Sequence, residues 1–346
     1  MHYLQDVFNR NYLNDGPLTR EFEAKIEEIC KVDHAIAVTS GTAAISLALM
    51  ALGVGRGDEV IVPDLTFIAT ANAVRLAGAI PILVDIEPYR FAIDCDKIQR
   101  SVTSRTKAIV SVDVNGRGAN YYFLEDYCKK NNLYLVCDSA EAFGSKYGGR
   151  PLGSFGDAAA LSFSANKTIT TGQGGMVLTR KANVAERIKQ LKDQGRLKRG
   201  TGGDDLHPTQ GFNFKFTDIQ AAVGLAQLKV LNTRLEQADN RDRWYRKYLS
   251  DCDQITLPEK IDGEICQWAD VLLDRRDHVK NELDTRNMGT RSFWYPIHRQ
   301  LPYQDSDGKF ANSVSVSLRG LWLPSNFNLK EGDVKSIALA IKRIVK

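Results

Sequence analysis

The chain is short of the features that would mark a metal, nucleic-acid or membrane protein. Its six cysteines (Cys30, Cys95, Cys128, Cys137, Cys252, Cys266) lie far apart, with no C-x-x-C pair among them. In a chain this long, that spacing predicts reduced, buried thiols of a cytoplasmic protein. The five histidines show no metal-ligand spacing, so no metal site is expected. No apolar run approaches a membrane span, and the opening Met-His-Tyr-Leu-Gln-Asp lacks the pattern of a signal peptide, so no membrane association is expected. The net charge of +4 is dispersed. Arg196, Lys198 and Arg199 form the one local basic cluster, which gives a nucleic-acid partner little footing. No G-x-G-x-x-G follows an expected strand, which argues against a plain dinucleotide-binding domain. Repeats and low-complexity segments are also absent.

What is there is a 346-residue chain, 43% hydrophobic and 25% charged, enough for a large core and a second, smaller one. Short apolar, β-rich runs over 35–38, 60–62, 80–84, 107–112, 133–137, 158–163 and 176–178 alternate with helical patterns. This predicts an α/β fold: a mostly parallel central sheet with helices on both faces and a smaller C-terminal α/β domain. The expected divisions are an N-terminal arm over 1–16, a large domain over 17–235 and a small domain over 236–346. Asn14-Asp-Gly-Pro17 is a turn signal, after which Thr19 is expected to cap a helix reaching Cys30. A long loop is expected over 194–210, and a long helical region from Asp218 toward Leu249. The C-terminal part carries expected strands over 267–273 and 290–294 and helices over 277–286 and from 331 to the end.

One stretch concentrates the chemistry. Leu161-Ser-Phe-Ser-Ala-Asn-Lys167 closes a buried strand, and the chain then turns through Gly172, Gly174 and Gly175. A lysine at the rim of a core is less well solvated than one on an open face, and the neutral amine is the form that attacks a carbonyl carbon. The alternative is a lysine whose stem is buried and whose head reaches water. Upstream, Ser40-Gly-Thr-Ala-Ala44 joins a strand to an apolar helix. Such a turn is either a tight connection or an anion site built from free N–H groups and the helix dipole. In parallel sheets ligands bind beyond the carboxyl ends of the strands, where Ser40, Asp138 and Lys167 all fall.

Five segments in order, Ser40-Gly-Thr-Ala-Ala44, Thr66-Phe-Ile-Ala-Thr70, Asp138-Ser-Ala-Glu-Ala142, 162–175 and Gly211-Phe-Asn-Phe-Lys215, resemble the DegT/DnrJ/EryC1/StrS sugar aminotransferases. The resemblance spans nearly the whole chain. It implies the fold-type I, aspartate aminotransferase-like architecture and pyridoxal 5'-phosphate (PLP) carried as a Schiff base on Lys167. It further implies Asp138 facing the pyridine nitrogen, Phe67 stacking on the ring, and phosphate contacts from the Thr42 and Ala43 N–H groups and the Ser162 hydroxyl. Asp138 as a helix cap and Phe67 as a core residue are the alternatives. Glu141 stands where relatives often have Gln near the ring hydroxyl. Asn213 matches a residue supplied by a neighbouring subunit, implying a homodimer with shared active sites. Lys215 either meets substrate phosphates or is a surface lysine.

Trp294-Tyr295-Pro-Ile-His298 is similar to the perosamine-synthase-like branch, whose members aminate C4 of a GDP-linked 4-keto-6-deoxy sugar. The resemblance thus implies L-glutamate and a nucleotide-linked keto sugar as substrates, with Trp294, Tyr295 and His298 at the sugar; His298 could equally cap a turn. Asp113-Val-Asn-Gly-Arg117, where many relatives have His-x-x-Gly, is expected near the sugar pocket. The pyridoxamine-dependent dehydratases of the family carry His at the Schiff-base position, so Lys167 argues against them. A non-catalytic regulator would be expected to carry an appended DNA-binding segment, and none is evident.

Overall fold

The computed structural model describes residues 2–197 and 206–345. Seven strands form the main sheet: β1 (His34–Val38), β2 (Glu59–Pro63), β3 (Ile80–Val84), β4 (Thr106–Val112), β5 (Tyr134–Asp138), β6 (Ala158–Ser162) and β7 (Gly175–Thr179). Their order is β1-β7-β6-β5-β4-β2-β3. Only β7 runs against the others, pairing antiparallel with both β1 and β6. The sheet is therefore mostly parallel, as the alternation of strand and helix patterns requires.

The strands are apolar on both faces because both are covered. In β4, Ile109 points into a core shared with helices Pro17–Cys30, Tyr121–Lys130 and Asp218–Leu228. Its neighbours Ala108 and Val110 point into the opposite core, with helices Gly41–Ala51, Ala69–Leu76 and Ala182–Lys192. A third core, including Leu249, Val271, Leu321 and Ile337, belongs to a four-stranded antiparallel sheet near the C terminus. Helix Leu231–Leu249 runs through residue 235, giving Leu231 and Leu235 to the first core and Tyr245 and Leu249 to the third. A fourth cluster, with Leu65, Val112, Trp294 and Trp322, joins the two sheets. Among the described residues no helix is long and apolar enough to cross a membrane.

Several local expectations are corrected. Residues 2–10 form a helix within the expected N-terminal arm, and Cys95–Ser101 form another not anticipated; strand Gly320–Trp322 completes the C-terminal sheet. The region after Asp218 is two helices, Asp218–Leu228 and Leu231–Leu249. Thr19 does not cap the helix Pro17–Cys30, which starts after Gly16 with no side-chain cap of its own. Instead the buried Asp218 carboxylate accepts hydrogen bonds from the Gly16, Leu18 and Thr19 N–H groups (2.7, 3.1 and 3.1 Å) and from the Thr19 hydroxyl (2.6 Å). A partner two hundred positions away satisfies the orphan donors, which no local pattern could signal. The expected loop over 194–210, and the basic cluster's Lys198 and Arg199, lie in part or wholly outside the described residues.

Candidate active site

The carboxyl ends of the parallel strands open into a cavity of about 440 Å³. Its chemical groups come from the carboxyl ends of β1, β5 and β6. Asp138 closes β5, Ser162 closes β6, and the turn after β6 carries Lys167, whose N–H donates to the Ser164 carbonyl at 3.1 Å. After β1 the chain enters helix Gly41–Ala51, with Ser40 as its N-cap.

Lys167 is held at the cavity rim. Its side chain is 12% exposed, its Nζ lies 3.3 Å from Glu141 Oε1, and the amine sits 5.4 Å from the centre of the Trp268 ring. Glu141 is turned toward the lysine, and its other oxygen accepts from the Asn115 N–H at 3.1 Å. Asp138 is buried and takes hydrogen bonds from the Thr70 hydroxyl (2.7 Å) and the Ala140 N–H (3.2 Å). Burial raises the Asp138 carboxyl above its ordinary value, opposed by the Thr70 and Ala140 hydrogen bonds and by the nearby Lys167 charge.

The helix N-terminus provides a second pole. Ser40 Oγ accepts from the Ala43 N–H at 3.1 Å and the Ser40 carbonyl from the Ala44 N–H at 3.0 Å. The Ala43 donor expected at a phosphate is thus engaged by the cap. Gly41 and Thr42 line the cavity, and their first-turn N–H groups have no intrahelical carbonyl. A Cβ at Gly41 would stand 3.1 Å from Ser162 Cβ, so the bare glycine keeps a cradle open between helix and strand. Phe67 lines the same cavity and is 55% exposed, with its ring open rather than packed in the core.

These features fit PLP. An anion-binding helix turn next to a serine hydroxyl suits its phosphate, and an open aromatic suits its ring. A buried carboxylate that, among the described residues, has no arginine or lysine in direct contact suits a cationic ring nitrogen, and a largely buried amine suits its aldehyde.

The remaining expected residues divide. Trp294 lines the cavity and packs edge-on against Trp322, ring centres 4.7 Å apart. Tyr295, 56% exposed, is not part of that wall. Asn213 is exposed, in a bridge to Asp193 and away from the cavity of its own chain. Lys215 is ion-paired with Asp193 and mostly buried, so its charge is already compensated. His298 is fully buried, with its ring nitrogens facing Asp64 Oδ2 at 2.6 Å and Asp307 Oδ1 at 2.9 Å. It also stacks on Phe310, and so braces the 297–310 segment instead of meeting a ligand. Asp113 is likewise buried beneath the sheet end, bound by the Tyr121 and Ser139 hydroxyls, and does not line the cavity.

Sequence reasoning left Thr70, Trp268 and Arg291 without roles. Thr70 was visible inside a recognised segment. Trp268 and Arg291, both in the cavity wall, come from the C-terminal part of the chain, where no strand-to-turn motif singles them out.

The profile of the DegT/DnrJ/EryC1/StrS aminotransferase family matches residues 1–342. The chain belongs to that family. It is 38% identical to the GDP-perosamine synthase of Caulobacter vibrioides, over 99% of this chain and 94% of the relative. Against the GDP-perosamine synthase of Escherichia coli O157:H7 it is 35% identical, covering 98% and 93%. A DegT DnrJ EryC1 StrS aminotransferase structure from Brucella abortus superposes with a TM-score of 0.93 at 30% identity, covering 99% of this chain and 94% of that one. Family membership carries the fold and the use of PLP to this chain, and both agree with the cavity described above.

Proposed function

We propose that this DegT-family aminotransferase moves an amino group from L-glutamate to a nucleotide-linked keto sugar, with a GDP-linked 4-keto-6-deoxyhexose as the acceptor. The carrying observation is the largely buried Lys167 amine facing a cavity that also holds the buried Asp138. The likeness to two GDP-perosamine synthases over nearly the full length supports the sugar. Surface-polysaccharide synthesis and a cytoplasmic location go with that reading.

PLP, when bound, supplies an electron sink for the charge left as a proton departs the carbon beside the transferred nitrogen. The chain supplies the rest. Lys167 would hold the cofactor and, when released, carry the proton between the bound substrate's carbon and the cofactor from a fixed position. Asp138 would stabilise positive charge at the ring nitrogen, and Thr70 orients the Asp138 carboxylate. The first turn of helix Gly41–Ala51 and Ser162 would hold the phosphate, with Phe67 against the ring. Glu141 keeps the Lys167 amine on the cavity side.

Adding L-glutamate to the purified, PLP-loaded protein is expected to move its absorbance to that of the amine form of the cofactor; an unchanged spectrum refutes the reading. A panel of 3-keto and 4-keto sugars on GDP, UDP and dTDP then decides the acceptor. The exposed Asn213, away from its own chain's cavity, supports a homodimer in which it completes the neighbouring site. Cofactor affinity in Asn213→Ala equal to wild type would count against that arrangement.

A further inference from the structure

The segment Asp113-Val-Asn-Gly-Arg117 does not line the cavity, yet it touches both groups that flank the reacting amine. Asn115 is fully buried with a left-handed φ of 53°, a conformation Asn tolerates better than most residues. Its main-chain N–H donates to Glu141 Oε2 at 3.1 Å, and Glu141 Oε1 faces Lys167. Its side-chain amide meets the backbone of Trp268 twice. Nδ2 donates to the Trp268 carbonyl at 2.9 Å, and Oδ1 accepts from the Trp268 N–H at 2.8 Å. The second Nδ2 hydrogen goes to Asp270 Oδ2 at 2.9 Å. Every polar atom of the side chain is therefore engaged, as a rigid buried network requires. Trp268 in turn lies over the Lys167 amine.

The neighbours of Asn115 keep this contact from drifting. Arg117 makes a buried two-point pair with Asp270 (3.1 and 2.6 Å). Gly116 approaches so closely that a Cβ would sit 2.1 Å from the Ile265 carbonyl oxygen. The loop after β4 is thus fastened to the segment that carries Trp268 and runs into strand Asp270–Leu273, and the Asn115 main-chain N–H reaches the Glu141 carboxylate beside Lys167.

We propose that Asn115 is a positioning residue that sets the place of the Lys167 amine, through Glu141 on one side and Trp268 on the other. This rests on Lys167 being the reacting amine; the test below reads its position without requiring transfer to a sugar.

The test is reductive methylation of the full-length protein freed of cofactor, with peptide mass spectrometry of Lys167 and of Lys192. Lys192 is a buried lysine held elsewhere by the Ala37 carbonyl and Asp15, and it reports general loosening. Asn115→Gly keeps the positive φ and the N–H to Glu141 but removes both bonds to Trp268. It is expected to speed Lys167 labelling about fivefold, the scale of one net hydrogen bond, with Lys192 unchanged. Ser145→Ala, which loosens the same seam at Ile265 without touching the lysine's neighbours, is expected to change neither rate. If Asn115→Gly does not fold, Asn115→Asp, of the same size but without the amide donor, is read the same way. Unchanged Lys167 labelling, or an equal rise at both lysines, overturns the proposal. A positive result here with no glutamate-dependent spectral change would leave Asn115 in place and remove the aminotransferase reading instead.

Discussion

The Thr70 hydroxyl donates to Asp138 Oδ2 across 2.7 Å, and this bond sets which way a buried carboxylate faces the cavity. Burial acts against the ionised form of Asp138, and the hydrogen bond acts for it. Thr70→Val keeps the shape and removes the donor. PLP affinity is expected to fall about tenfold, the equivalent of one hydrogen bond to a charged group, ~1.4 kcal/mol. A fluorescence titration giving wild-type affinity would show that Asp138 needs no such orientation.

Lys167→Ala should leave turnover at less than roughly a thousandth of wild type, because both the covalent attachment and the proton carrier disappear together. The lysine is in a turn after β6, outside any helix or strand, so far-ultraviolet circular dichroism should stay close to wild type. Borohydride reduction of the loaded wild-type protein should place the cofactor on this residue. A label on any other peptide would remove Lys167 from the reaction.

Much of this site could be read from the chain alone, because its pieces are local. The strand-to-helix turn at Ser40 and the strand ends and turns at Asp138 and Lys167 are each short local features, and the parallel sheet brings the strands' carboxyl ends together by topology. Partnerships across long separations were not legible. Asp218 capping residues 16–19, His298 wedged between Asp64 and Asp307, and Asn115 holding Trp268 each join positions with no shared pattern. The same reason explains why the sequence left His298 open between sugar contact and a turn cap: a histidine in a recognised segment says nothing of the carboxylates that fold around it. Short strands such as Gly320–Trp322 carry too few residues for a period to emerge.

Asp113 gives the protein a pH-dependent term. Burial pushes its carboxyl up to about 7, although the Ser139 and Tyr121 hydroxyls pull the other way. In the unfolded chain the same group titrates near ~3.9. The folded state therefore holds the proton more tightly, and this contribution is fully present below the unfolded value and lost as pH rises through about 7. Asp113→Asn cannot ionise and can still bond both hydroxyls. Between pH 5.5 and 8, wild type is expected to lose more melting temperature than the variant. Parallel losses in the two proteins would mean that Asp113 is not held protonated.

His298→Ala separates bracing from substrate contact. Asp64 is fully buried, and burial raises its carboxyl while the His298 backbone and ring bonds lower it. Without the ring that carboxylate stays buried with one fewer partner, and Asp307 keeps only the Arg299 guanidinium. Breaking a buried pair from one side costs about 3 kcal/mol, which a urea denaturation should detect as a lower midpoint. Because the ring is sealed between Asp64, Asp307 and Phe310, the KM for a nucleotide sugar should change much less than stability does. A variant of unaltered stability whose KM for the sugar rose tenfold would return His298 to the binding site.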